Sequence, residues 1–167
     1  YSDMAIGAAR VFGIRLPVNF FSPYKSTSII EFWRRWHITL SQFLRDYLYI
    51  ALGGNRKGPA RRYVNLFLTM LLGGLWHGAG WPFVIWGGLH GLYLAAHKAM
   101  LSAQGLSGPV RETRLLPALL KIFVTFQLVC LTWIFFRAPN LDVSLEMVFS
   151  ILTWQAGTEA LPALVPG

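Results

Sequence analysis

A chain of 167 residues with a hydrophobic fraction of 54% and a charged fraction of only 13% is too apolar for a water-soluble fold, since soluble domains carry about 25% charged residues. A bilayer is the simpler solvent, and a net charge of +8 then points to membrane-flanking loops. No stretch interleaves basic and aromatic residues as nucleic-acid modules do, so nucleic acid is not expected as a partner.

In chain order, Tyr1 to Arg15 is moderately apolar and reads as the tail of a membrane helix. The chain opens without methionine and without a signal-peptide pattern, so it is expected to start partway through a larger protein. Leu16 to Ser28, with two prolines, Asn19 and several Ser and Thr, reads as a loop. From Ile29 to Leu52, large apolar residues recur at spacings of three and four (Phe32, Trp36, Leu40, Phe43, Tyr47), a helical stripe. Arg34, Arg35 and Arg45 punctuate it. Each would cost ~2.5–3.5 kcal/mol in mid-bilayer, so this segment is expected to be interfacial or re-entrant and packed on protein.

Gly53 to Arg62 is expected to be a turn with a basic cluster, Arg56, Lys57, Arg61 and Arg62, facing the cytoplasm. Val64 to Ala96 then runs without Asp, Glu, Lys or Arg. One straight helix of that length would reach ~50 Å, against a hydrocarbon core of ~30 Å. Gly78, Gly80 and Pro82 interrupt it, so two membrane-penetrating segments broken around His77 to Pro82 are expected. His97 to Leu116 reads as a second basic loop, Pro117 to Phe136 as a span, and Val143 to Trp154 as a short amphipathic helix.

The lone Cys130 can form neither an internal disulfide nor a cysteine zinc site. There is no Gly-x-Ser-x-Gly elbow, and the seven acids are scattered, which argues against a paired-carboxylate glycosidase. Histidine acid/base chemistry remains. His77 lies in the longest uncharged stretch, at its glycine-broken point, where an ionisable group is a functional candidate; the competing reading is a hydrogen bond to a neighbouring helix. His37 follows Trp33-Arg34-Arg35-Trp36 and could be structural. His90, beside Gly91, suits helix packing, and His97 suits a solvated span end. His90 and His97 have no nearby carboxylate, so no metal site is expected.

Two segments resemble the signatures of the membrane-bound O-acyltransferase family. Glu31 to Ser41 reads EFWRRWHITLS and Phe43 to Asn55 reads FLRDYLYIALGGN; Leu75 to Ala79 reads LWHGA, followed by Trp81. Trp86-Gly87, Leu89-His90-Gly91 and the opening YSDMAIG fit as well. The resemblance covers Tyr1 to Ala96 and, less closely, Phe123 to Pro139. It is nearest to the alginate O-acetylation branch, with teichoic acid D-alanyl transfer more distant.

The resemblance implies an all-α, polytopic, multi-pass protein of the bacterial cytoplasmic (inner) membrane, with broken and re-entrant helices around a buried chamber. Residues 1–167 would be part of a single membrane domain whose N-terminal half and last spans lie elsewhere. It assigns the catalytic role to His77 and a supporting one to His37, with Trp36, Trp76 and Trp81 shaping the chamber. It implies an acetyl thioester as donor substrate, no bound cofactor, a cell-surface polysaccharide acceptor, and an exported transferase partner amid membrane lipid. D-alanyl transfer to a teichoic acid-like polymer, and a transporter or non-catalytic acyl-relay subunit, remain open.

Overall fold

Residues 2–106 and 114–154 are described in the computed structural model of the chain. Among them the regular structure is entirely helical, with seven α-helices and no strand. Helix α1 is Ser2–Val11, and a 3-10 turn at Pro23–Lys25 precedes α2, Ile29–Arg35. Helix α3, Ile38–Phe43, runs into a π-helical turn, Leu44–Tyr49. Then come α4, Gly58–His77; α5, Trp81–Ala103; α6, Leu115–Arg137; and α7, Leu141–Thr153.

Helix α6 is long and apolar enough to cross a membrane, the one such helix among the described residues. Its outer face is open: Leu119, Leu120 and Phe123 are exposed, which suits lipid. Helices α4 and α5, at 20 and 23 residues, are long enough to reach across ~30 Å of hydrocarbon. They pair as a hairpin whose reversal occupies 78–80, with Pro82 in the first turn of α5, where its missing N–H costs no helical bond.

Glycine sets how closely the two helices approach. A Cβ on Gly74 would collide with the Phe83 carbonyl and one on Gly87 with the Met70 carbonyl, while Gly74 and Gly87 face each other. A Cβ on Gly91 would lie 2.9 Å from Phe67 Cα. Lipid tails are as apolar as leucine, so helices in a bilayer associate through such close backbone packing.

Helix α2 is wedged into this frame. Ile29, Phe32 and Trp33 form one buried cluster with Met70 of α4, Trp86 of α5, and Val129 and Phe135 of α6. Ser28 caps α2 by accepting the Glu31 N–H at 3.2 Å, as Ser does at the N-terminus of a helix. The Glu31 carboxylate accepts from the Thr27 N–H and hydroxyl and pairs with Arg35 at 2.6 Å. Burial works against that carboxylate, but the Thr27 bonds and the Arg35 charge outweigh it and hold it below the usual carboxylate range. An arginine-bearing helix thus packs on protein, as the cost of arginine in lipid requires.

Three local expectations change. The stripe from Phe32 to Tyr47 is not one helix: it breaks at Trp36–His37, where His37 takes a left-handed backbone, φ 42° and ψ 60°. Arg61 and Arg62 belong to α4 itself rather than to the preceding turn. His97 and Lys98 lie within α5, which continues to Ala103 because HKAMLSA contains good helix formers and no breaker. Because the hairpin is antiparallel, Arg61, Arg62 and Lys98 nevertheless gather at one end of it.

The glycine contacts predict a paired result. Gly87→Ala should lower the thermal stability of the intact protein in detergent by about 1–3 kcal/mol, the usual cost of overpacking. Gly88→Ala, whose nearest neighbours are side-chain atoms at 3.9 and 4.0 Å, should leave it unchanged or gain up to about 1 kcal/mol of helix propensity. Equal effects would contradict the close-contact account.

Candidate active site

The site begins at the α2–α3 break. A left-handed non-glycine residue costs ~1–2 kcal/mol, although histidine tolerates that region better than most. The preceding loop stitches across it. The Phe21 N–H donates to the Arg35 carbonyl at 2.9 Å and the Ile38 N–H to the Asn19 carbonyl at 3.0 Å. The Thr39 N–H and hydroxyl both donate to Asn19 Oδ1, at 2.9 and 2.7 Å. Asn19 thus caps α3 from outside it and fixes the residue before it, His37. The imidazole lies beside Phe20, ring centroids 5.8 Å apart.

His77 is the last residue of α4, at the glycine break. Its ring meets Trp86 and Phe136 edge-on, at centroid distances of 5.3 and 5.2 Å, and it keeps an accessible face. The two imidazoles are within electrostatic range of each other. Both line one cavity of about 380 Å³, walled by Tyr24, Trp33, Trp36, Leu40, Trp86, Trp133 and Phe136. The lining is almost wholly aromatic or aliphatic, so a polar atom entering it finds few partners other than the two histidines. His37 Nδ1, Trp86 Nε1 and Trp133 Nε1 are buried and meet no protein partner in hydrogen-bond geometry among the described residues. Trp133 Nε1 lies toward the Tyr24 phenol without completing that bond.

The structure therefore brings together His37, His77 and Trp36. Trp76 and Trp81 stand outside this lining, 72% and 69% exposed. Adjacent positions on a helix point about 100° apart, so Trp76 cannot follow His77 inward, and Trp81 leads into α5 on the far side of the reversal. The sequence did not single out Tyr24, Trp133 or Phe136. The last two lie on α6, which is apolar all round and has no readable inner face. Trp86 carried a signal in the resemblance, as part of Trp86-Gly87.

His90 is a different histidine, fully buried. The Trp33 indole N–H donates to its Nδ1 at 3.2 Å. Indole nitrogen can only donate, so Nδ1 bears no proton and Nε2 does. Nε2–H then donates to Thr132 Oγ1 at 2.9 Å, whose own hydrogen goes to the Val129 carbonyl at 2.7 Å. Every polar atom of the neutral ring is paired, and His90 ties α2, α5 and α6 together. No group of three or more His, Cys, Asp or Glu that could hold a metal ion occurs among the described residues.

The family model of the membrane-bound O-acyltransferases matches residues 1–137, which include both histidines of the cavity and all of α1 to α6. The chain belongs to the membrane-bound O-acyltransferase family. It is 51% identical over 149 residues to a Helicobacter pylori peptidoglycan O-acetyltransferase, covering 89% of this chain and 27% of that protein. It is 53% identical over 158 residues to a Pseudomonas aeruginosa protein named probable alginate O-acetylase AlgI, covering 93% and 29%. A teichoic acid D-alanyltransferase of Streptococcus thermophilus is 33% identical over 153 residues, covering 81% and 36%. The chain thus spans well under half the length of these O-acyltransferase relatives.

The Asn19 clamp is testable without an activity assay. Asn19→Ala removes both acceptor bonds to Thr39 and should cost the intact protein about 1–3 kcal/mol. His37 should then react several-fold faster with diethyl pyrocarbonate, read by mass spectrometry. An unchanged rate at His37 would show that Asn19 does not hold it.

Proposed function

We propose that the intact protein transfers an acyl group, acetyl in the first instance, from a thioester donor toward a hydroxyl of a bacterial cell-surface glycan, with His77 as general base. The observation that carries this reading is the pairing of His77 and His37 on one aromatic cavity at the glycine break of the α4–α5 hairpin. Relatives named for peptidoglycan and alginate O-acetylation support acetyl as the group and a glycan as the acceptor. An exported transferase as partner and a multi-pass setting in the inner membrane are part of the same proposal. The basic residues gathered at one end of the hairpin would face the cytoplasm.

In the step we infer, the acceptor hydroxyl gives its proton to a ring nitrogen of His77 as its oxygen attacks the thioester carbonyl carbon. The tetrahedral intermediate collapses with cleavage of the carbon–sulfur bond. The His77 imidazolium returns its proton to the departing thiolate, leaving an ester and a free thiol. General-base assistance of this kind contributes ~10²–10⁴ in rate. His37 donates a hydrogen bond to the carbonyl oxygen, and its fixed backbone keeps that donor in place. Trp36, Trp86 and Trp133 exclude water, which would otherwise hydrolyse the thioester.

An amide keeps hydrogen bonds but cannot accept the proton at neutral pH. His77→Gln should therefore lower polymer acetyl content by at least ~10²-fold at matched protein abundance, while polymer synthesis continues. Unchanged acetyl content in that variant would remove His77 from the chemistry and favour a relay or transport role.

A further inference from the structure

Trp33 borders more than the histidine cavity. A second cavity of about 290 Å³ lies among α2, the π-helical turn, α4 and α5. Ile30, Leu44, Leu66, Met70 and Leu94 give it a largely apolar surface, and Arg45, Arg62 and Lys98 are among the polar residues that complete its lining. Trp33 is the one residue common to the linings of the two cavities.

This wall is fixed. Trp33 is buried, with its ring edge-on to Phe32 at 5.7 Å and to Trp86 at 5.9 Å. Its N–H is spent on His90, which is itself locked by Thr132. Swinging the indole aside would leave Trp33 Nε1 and His90 Nδ1 unpaired in the interior, which is the costly outcome for a buried polar pair. A donor whose carbonyl sits between the two imidazoles leaves the aromatic side of the first cavity for its acyl tail. Trp33 is part of that aromatic lining.

We propose that Trp33 sets the length of the acyl chain this protein accepts, closing the histidine cavity to chains much longer than acetyl and separating it from the apolar cavity beyond. The proposal rests on the acyl-transfer reading above and adds a specificity determinant to it. A smaller side chain at position 33 would join the two cavities and give a longer chain an apolar bed.

The test supplies acetyl- or hexanoyl-coenzyme A to the intact protein in membrane vesicles that carry its polymer, and reads acyl ester on the polymer by mass spectrometry. Wild type should favour acetyl by about two orders of magnitude, given that one methylene in a fitted apolar pocket is worth ~10–200-fold. Trp33→Ala should raise the hexanoyl-to-acetyl ratio at least ~10-fold, and Trp33→Phe should raise it less. Equal use of both donors by wild type would overturn the proposal, and that arm decides it even where a variant fails to accumulate. So would an unmoved ratio in both variants with acetyl transfer retained. No transfer by wild type from either donor would instead overturn the acyl-transfer reading, and the proposal with it.

Discussion

The backbones of α4 and α5 touch at Gly74 and Gly87, and the rest of the site depends on that contact. It brings the second turn of α5 against the last turn of α4, which sets Trp86 beside His77 at 5.3 Å. It leaves room for α2 to wedge against α4, α5 and α6 through Phe32 and Trp33. A bilayer supplies little hydrophobic drive between helices, so this frame is held by fit and by a few buried polar bonds. The chain from Trp33 through His90 to Thr132 is the chief of those bonds.

His77 and His90 show how backbone context separates residues of one type. Each is followed by glycine in the sequence. His90 sits mid-helix, its ring paired on both nitrogens and shut from solvent, so it has no capacity left for a substrate. His77 sits where α4 ends, keeps an accessible face, and has aromatic neighbours that cannot satisfy its nitrogens. The first holds helices together; the second is free for chemistry. His37 reaches the same cavity by another route, through a strained backbone position held by Asn19.

The large features were legible in the sequence because they follow from composition and punctuation. Glycine and proline between His77 and Pro82 marked the break that separates α4 from α5. Length and apolarity marked α6. The break at Trp36–His37 was hidden, because apolar spacing runs through it unchanged and no glycine or proline marks it. Its cause is a loop near position 19, visible only in three dimensions. The chamber walls were half legible for a related reason. Trp36 shares the cavity, whereas Trp76 and Trp81 sit in the right motif on outward positions. Trp133 and Phe136 lie on a helix with no polar face to orient it. Motif membership located the neighbourhood, and helix rotation decided which rings face inward.

The account turns on whether acyl chemistry occurs between the two imidazoles. The most direct measurement is a cryo-electron microscopy structure of the intact protein with S-acetonyl-coenzyme A, whose ketone replaces the reactive thioester. The account predicts the ketone in the cavity walled by Trp36, Trp86 and Trp133. Its oxygen should lie within hydrogen-bond reach of His37, about 2.6–3.2 Å, with the His77 ring facing its carbon. A ketone bound outside that cavity, or a His77 ring turned to lipid with the analogue in place, would contradict it.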